Sequence, residues 1–177
     1  MRDNDAHISF LPLCHVFERT VGHYLMVSIG ASISYAENME AVPRNIVETK
    51  PTFILGVPRF FEKVQARVLE TVKQSPAKKQ EVFRRALDLG RKRRLGEKFR
   101  FSDRLFWILV KLVVRRKFAA RLGGCLRFCV SGGAPLSKEI AEFFCDLGVM
   151  IYEGYGLTET SPVMTANREG RVRFGSV

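Results

Sequence analysis

Tyr152-Glu153-Gly154-Tyr155-Gly156-Leu157-Thr158-Glu159-Thr160-Ser161 decides how this chain reads. The apolar run Leu147-Gly148-Val149-Met150-Ile151 precedes it, with the length and composition of a buried strand. That strand breaks into two glycines flanking a tyrosine. Glycine permits a sharp turn and close approach of a flat ligand. Tyr155 offers a ring for stacking, while Thr158 and Glu159 supply a hydroxyl and a carboxylate, hard oxygen ligands that suit magnesium. The combination suits a nucleotide with its phosphates and metal. The plainer alternative is a tight turn with a Thr-Glu helix start. Pro162 weighs against it, because a helix beginning at Thr158 would carry that proline in its interior.

Working outward, the chain alternates strands and helices. Ile8 to Leu11 reads as a short strand opening at Pro12. A helix is expected from Phe17 to about Ala31, then a strand over Ser32–Tyr35. A second helix is expected from Met39 to Thr49, provided Pro43 lies in its first turn. Pro51 to Leu55 is a third strand, and Arg59 to Val72 a helix patterned by Phe61, Val64, Val68, Leu69 and Val72. Leu126 to Val130 is a fourth strand, Ser137 to Asp146 an amphipathic helix capped by Ser137, and Val149 to Glu153 a fifth strand. Glu18-Arg19 reads as an ion pair at a helix start.

This order predicts an α/β fold with a mostly parallel sheet flanked by helices. Ligands of such sheets bind off the carboxyl ends of the strands. Ser131-Gly132-Gly133-Ala134-Pro135 follows the fourth strand, Gly154-Tyr155-Gly156 the fifth and Leu13-Cys14-His15 the first. The three loops are expected on one edge. Each also has an ordinary reading: a strand-to-helix turn at Gly133-Ala134-Pro135, a structural hydrogen-bonding role for His15, a solvated acid at Glu159.

Hydrophobic content of 46% and charged content of 27% are ordinary for a globular domain. The net charge of +11 is local: residues 78–121 hold 16 Lys/Arg against 4 Asp/Glu, leaving 13 against 14 elsewhere. Segment 74–124 reads as helical, with joints near Gly96 and Ser102, closed by Gly123-Gly124. Within it Arg91-Lys92-Arg93-Arg94 and Arg115-Arg116-Lys117 flank the apolar run Leu105–Val114. Basic flanks around an aromatic-rich helix suit peripheral contact with an anionic membrane through 91–117. The competing reading packs this apolar face on the domain and leaves the charges in water. Nucleic acid is not expected, since no binding motif accompanies the charge.

Cys14, Cys125, Cys129 and Cys145 form no CxxC pair and are expected to be buried, reduced thiols of a cytoplasmic protein. Cys125 and Cys129 are expected on one strand face. His7, His15 and His23 are not grouped with them, which argues against zinc. The polar start Met1–Asp5 lacks the apolar stretch of a secretory signal.

Four stretches together carry a family resemblance: Phe10-Leu11-Pro12-Leu13-Cys14-His15-Val16-Phe17-Glu18-Arg19, Gly56-Val57-Pro58-Arg59-Phe60-Phe61-Glu62-Lys63-Val64, Ser131-Gly132-Gly133-Ala134-Pro135-Leu136 and Gly154-Tyr155-Gly156-Leu157-Thr158-Glu159-Thr160. The chain closely resembles the AMP-forming acyl-CoA synthetases, in particular the long-chain fatty-acid branch, over essentially its whole length. The resemblance implies the following reaction: a fatty-acid carboxylate attacks the α-phosphate of ATP to give acyl-adenylate and diphosphate, and CoA then displaces AMP. It implies that Tyr155 stacks on adenine with Glu153 and Gly154 at its edge, and that Thr158 contacts phosphate. It assigns magnesium to Glu159. Gly132, Gly133, Ala134 and Pro135 would form the other adenine wall, and His15 would lie near the acyl pocket.

The resemblance further implies that the Pro-Lys phosphate loop, the ribose-binding Asp, the hinge and the small C-terminal domain with its lysine lie outside residues 1–177. The chain is therefore expected to be part of a large N-terminal adenylation domain, with 74–124 as a helical insertion. Alone, it is expected neither to make acyl-adenylate nor to bind ATP tightly. Two rival readings stay open: a non-catalytic basic membrane or interaction module, and an adenylate-forming ligase for an aryl or amino acid.

Overall fold

The computed structural model describes residues 2–177. Its centre is a six-stranded sheet in the order β2-β1-β3-β4-β5-β6. The strands are β1 (Ala6–Ser9), β2 (Ser32–Tyr35), β3 (Phe53–Gly56), β4 (Phe128–Ser131), β5 (Met150–Tyr155) and β6 (Thr165–Ala166). The first five pair in parallel; β6 runs antiparallel to β5 and was not expected. The predicted α/β class holds. β1 lies earlier than expected, since Phe10 and Leu11 already belong to the loop before Pro12.

Alternation along the strands creates two apolar faces, because neighbouring side chains in a strand point to opposite sides. Ile8, Ile54, Cys129 and Ile151 join one cluster with Val42, Ile46, Phe61, Val68, Phe118, Ile140, Phe143 and Phe144. These come from α2 (Val42–Thr49), α3 (Pro58–Lys73), α6 (Arg116–Arg121) and α7 (Lys138–Asp146). Phe53 and Leu55 face the other way and meet Phe17 and Met26. That side is covered by a π-type turn, Glu18–Tyr24, which runs into α1 (Leu25–Ser28). The helix stops before Gly30, which takes a positive φ of 72°.

Pro43 and Pro58 each sit in the first turn of their helix, α2 and α3, where a missing N–H costs nothing. Ser137 occupies the N-cap position of α7, as expected, but its hydroxyl donates to Glu139 Oε2 at 2.6 Å instead of capping the backbone. That hydrogen bond holds the Glu139 carboxyl below its ordinary range.

The basic segment folds into α4 (Ala77–Arg94) and a second long rod. The rod is α5 (Phe101–Leu109), a π-type stretch Val110–Arg115, and α6. There is one joint, at residues 95–100 with Gly96 at φ 72°, and Ser102 lies inside α5. Ser102 does not break the helix, because Arg100 already supplies the extended residue that starts it. α4 docks on α7 through Arg94, whose Nη1 donates to Glu142 Oε1 and whose Nε donates to Asp146 Oδ1, both at 2.8 Å.

Candidate functional site

Strand register builds the site. Gly56 of β3 is level with Ser131 of β4, which is level with Glu153 of β5. The loops that follow them therefore leave the sheet from one line, as the topology rule requires. The first turn of the Ser131 loop stays attached to its neighbour, with the Gly132 N–H donating to the Gly56 carbonyl at 3.2 Å.

Gly132 is buried, and a Cβ there would lie 3.0 Å from Phe17 Cζ. Phe17 thus brings the loop after β1 against the loop after β4. Gly133 takes φ 81°, a conformation L side chains rarely adopt, and turns the backbone outward so that Gly133, Ala134 and Pro135 are exposed. The far end of this loop is held by the opposite wall: the Leu136 N–H donates to Glu153 Oε1 at 2.9 Å. One carboxylate therefore ties the two glycine loops together.

Beyond Glu153 the chain folds back on itself. A Cβ on Gly156 would fall 1.5 Å from the Pro162 carbonyl oxygen, so no larger residue fits that crossing. The Ser161-Pro162 peptide is cis. The Thr160 hydroxyl accepts the Leu157 N–H at 2.9 Å and faces the Leu157 and Pro162 carbonyls at 3.0 and 3.1 Å. Thr160 thereby closes the 3-10 turn Thr158–Thr160. Thr158 and Glu159 stay exposed, with no side-chain partner among the described residues. Tyr155 ends β5 with half its surface open, 52%.

Nine of the predicted residues thus gather on one edge in two adjoining loops: Gly132, Gly133, Ala134 and Pro135 in one, and Glu153, Gly154, Tyr155 and the turn with Thr158 and Glu159 opposite. His15 lies in the loop after β1. It is exposed, and its Nδ1 accepts the Phe17 N–H at 3.2 Å while its carbonyl accepts the Arg19 N–H at 3.1 Å, so it caps the turn that positions Phe17. Phe17, Leu136 and Thr160 are structural parts of this edge that pattern alone does not single out.

No cluster of three or more His, Cys, Asp or Glu gathers among the described residues. A free carboxylate at Glu159 beside the Thr158 hydroxyl still suits magnesium, which keeps several waters and takes ligands from phosphates alongside one or two carboxylates.

Two expectations are corrected nearby. Glu18 does not pair with Arg19: it is fully buried with its Oε1 3.0 Å from His7 Nε2, while Arg19 Nε donates to the Leu13 carbonyl. Burial of the pair follows from Gly22, where a Cβ would come within 2.5 Å of Glu18 Oε1. The thiols also differ from expectation. Cys129 alone is buried, Cys145 is intermediate, and Cys14 and Cys125 are exposed. Cys125 precedes β4, so it shares no strand face with Cys129, whose thiol is pushed up by burial.

The carboxyl ends of the parallel strands thus carry two facing glycine loops with an exposed ring, hydroxyl and carboxylate on an α/β fold. The model for the AMP-binding enzyme family matches residues 1–177, and the chain belongs to that family. It is 34% identical to long chain acyl-CoA synthetase 6, peroxisomal, of Arabidopsis thaliana over 178 residues, 98% of this chain and 24% of that protein. It is 32% identical to the long-chain-fatty-acid–CoA ligase ACSBG2 of Homo sapiens over 97% of this chain and 26% of the relative. Among solved structures, a benzoate CoA ligase from Burkholderia xenovorans LB400 superposes with a TM-score of 0.61 at 25% identity, over 99% of this chain and 27% of that one. The chain spans about a quarter of the length of these relatives.

Proposed function

We propose that this chain supplies the adenine walls and the metal-facing turn of a long-chain fatty acid–CoA ligase. The reaction would convert ATP, a long-chain fatty acid and CoA to acyl-CoA, AMP and diphosphate. The observation that carries the reading is the Leu136 N–H to Glu153 hydrogen bond, which holds the Gly132–Pro135 loop opposite the Gly154–Glu159 loop at 2.9 Å. The names of the matched relatives, an acyl-CoA synthetase and a fatty-acid–CoA ligase, support the acid and the thiol.

In this reading, the exposed Tyr155 ring takes one face of the adenine. The Thr158 hydroxyl donates to a phosphate oxygen, and Glu159 would hold magnesium. ATP with magnesium would supply the electrophilic phosphorus and the leaving diphosphate. The chain's own task is positioning and charge neutralisation, and removing one such contact typically costs 10²–10³ in rate. His15 contributes through Phe17, which it caps.

The test is a chimera in which residues 1–177 replace the matching quarter of the Arabidopsis synthetase. We expect long-chain fatty-acid-dependent exchange of diphosphate into ATP. Glu159→Gln should lower that exchange by about 100-fold without changing thermal stability. Full exchange in the Glu159→Gln chimera would overturn the role of this turn. Activity with aryl acids and none with fatty acids would overturn the substrate assignment.

A further inference from the structure

The rod α5–α6 has two apolar faces, and only one of them is used by the fold. Trp107, Val110 and Phe118 point inward: the first two pack with Ala86 and Leu89 of α4, and Phe118 meets Phe144 of α7 at a ring distance of 5.8 Å. These contacts already fix the rod to the domain. Phe101, Leu105, Ile108 and Leu112 recur at steps of four, three and four, which lines them along one helix stripe. They are 87%, 68%, 56% and 62% exposed. Among the described residues nothing covers this stripe.

The charge around it has one sign. Arg100, Arg104, Lys111, Arg116 and Lys117 are exposed on or beside the rod, and none of them forms a salt bridge among the described residues. The one acid of the rod, Asp103, faces Arg85 at 3.6 Å. The inward cations are separate. Arg94 is held by Glu142 and Asp146, while Arg115 donates to the Leu147 and Gly148 carbonyls at 3.3 Å. The basic run therefore divides into cations bonded to the domain, Arg94 and Arg115, and exposed unpaired cations around the stripe, of which Lys111 and Arg116 also border the hollow beside Leu147 and Gly148.

We infer that this outer face docks on an anionic lipid surface, with the rod lying in the plane of the interface. An apolar stripe with a rim of unpaired Lys and Arg fits phospholipid headgroups above acyl chains. A neutral protein partner would meet no counterpart to five free cations. The rod does not cross the bilayer: no described helix is long and apolar enough to do so.

The 177-residue chain should float with vesicles of phosphatidylcholine and phosphatidylglycerol at 3:1, and not with phosphatidylcholine alone. Arg104→Gln/Lys111→Gln/Arg116→Gln should weaken that binding by about 100-fold, given roughly fivefold per cation near the surface. Leu105→Gln/Leu112→Gln should abolish flotation and, because both side chains already face water, leave circular dichroism and the urea midpoint unchanged. Equal flotation with phosphatidylcholine, or none with either vesicle, overturns the inference. So does a dimer in lipid-free solution that the leucine double variant dissolves while wild type ignores vesicles, since the stripe would then bind a second copy.

Discussion

Asp5 shows how much one buried side chain can tie together. Its carboxylate accepts from the Arg2 N–H at 2.8 Å, from the Thr52 hydroxyl at 2.7 Å and from Arg127 Nη1 at 2.5 Å. It thereby joins the amino ends of β1, β3 and β4, on the edge away from the site. Burial by itself would raise this carboxyl. The hydrogen bonds from Thr52, Arg2 and Arg127, with the guanidinium charge, outweigh that and hold it below its ordinary range. A lowered folded-state pKa gives stability that is complete above the unfolded value, near 3.9, and is lost as pH falls through the folded one. The urea midpoint should therefore drop between pH 5 and pH 2, and Asp5→Asn should flatten that drop while costing about 1–3 kcal/mol at pH 7. An unchanged pH profile in Asp5→Asn would show that other carboxylates carry the acid sensitivity. Asp5, like Glu18, was not legible in the sequence. Its partners lie as far as 122 positions away, so neither periodicity nor local spacing points to them. The glycine loops were legible because backbone conformation is written in residue type: Gly133 takes a positive φ that side chains rarely adopt, and Gly156 leaves no room for a Cβ.

At the level of elements, local signals located almost every strand and helix, and packing set their ends. Pro43 and Pro58 marked helix starts through fixed φ and the missing N–H. Ser102 misled because a polar residue near a helix start looks the same as one at a joint. The π-type stretches Glu18–Tyr24 and Val110–Arg115 leave no pattern in composition. The α4–α7 contact is the clearest case of packing overriding propensity. Gly90 lies in the interior of α4, where alanine would ordinarily stabilise a helix by about 1 kcal/mol. A Cβ there would lie 2.3 Å from the Asp146 carbonyl oxygen, backbone that cannot swing aside. Forcing the helices apart would also lengthen the Arg94 bonds to Glu142 and Asp146. Overpacking of this kind costs about 1–3 kcal/mol, so the net sign is destabilising. Gly90→Ala should lower the thermal midpoint, whereas Gly96→Ala, at an open position with φ 72°, should act through backbone strain alone. A Gly90→Ala protein as stable as wild type would mean that α4 is free to slide on α7.

For the whole molecule, the sheet divides its labour by edge and by end. The carboxyl ends of the strands carry the two glycine loops, the amino ends are locked by Asp5, and the basic rod lies on the α4–α7 side with its α6 end packed into the core through Phe118. The two lateral edges are treated unequally. Short β6 lies beside β5, whereas β2 has no partner on its outer side among the described residues. The Ser32 N–H donates to the Asp5 carbonyl and the Ala36 N–H to the Ser9 carbonyl, so alternation turns the backbone groups of Ile33 and Tyr35 outward. Such an edge is a template for pairing with another chain. Tyr35 is exposed, and its hydroxyl shares a 2.9 Å hydrogen bond with His23 Nδ1. A lysine there keeps the strand and adds the charge with which natural edges resist pairing. The 177-residue chain should therefore self-associate in sedimentation velocity, and Tyr35→Lys should shift it toward monomer while changing the urea midpoint by no more than about 0.5 kcal/mol in stability. The comparison is made in the Leu105→Gln/Leu112→Gln background, which removes the apolar stripe of the rod as a second route to association. Undiminished self-association of the triple variant would place the contact on neither surface, and so refute β2 as the exposed edge that matters.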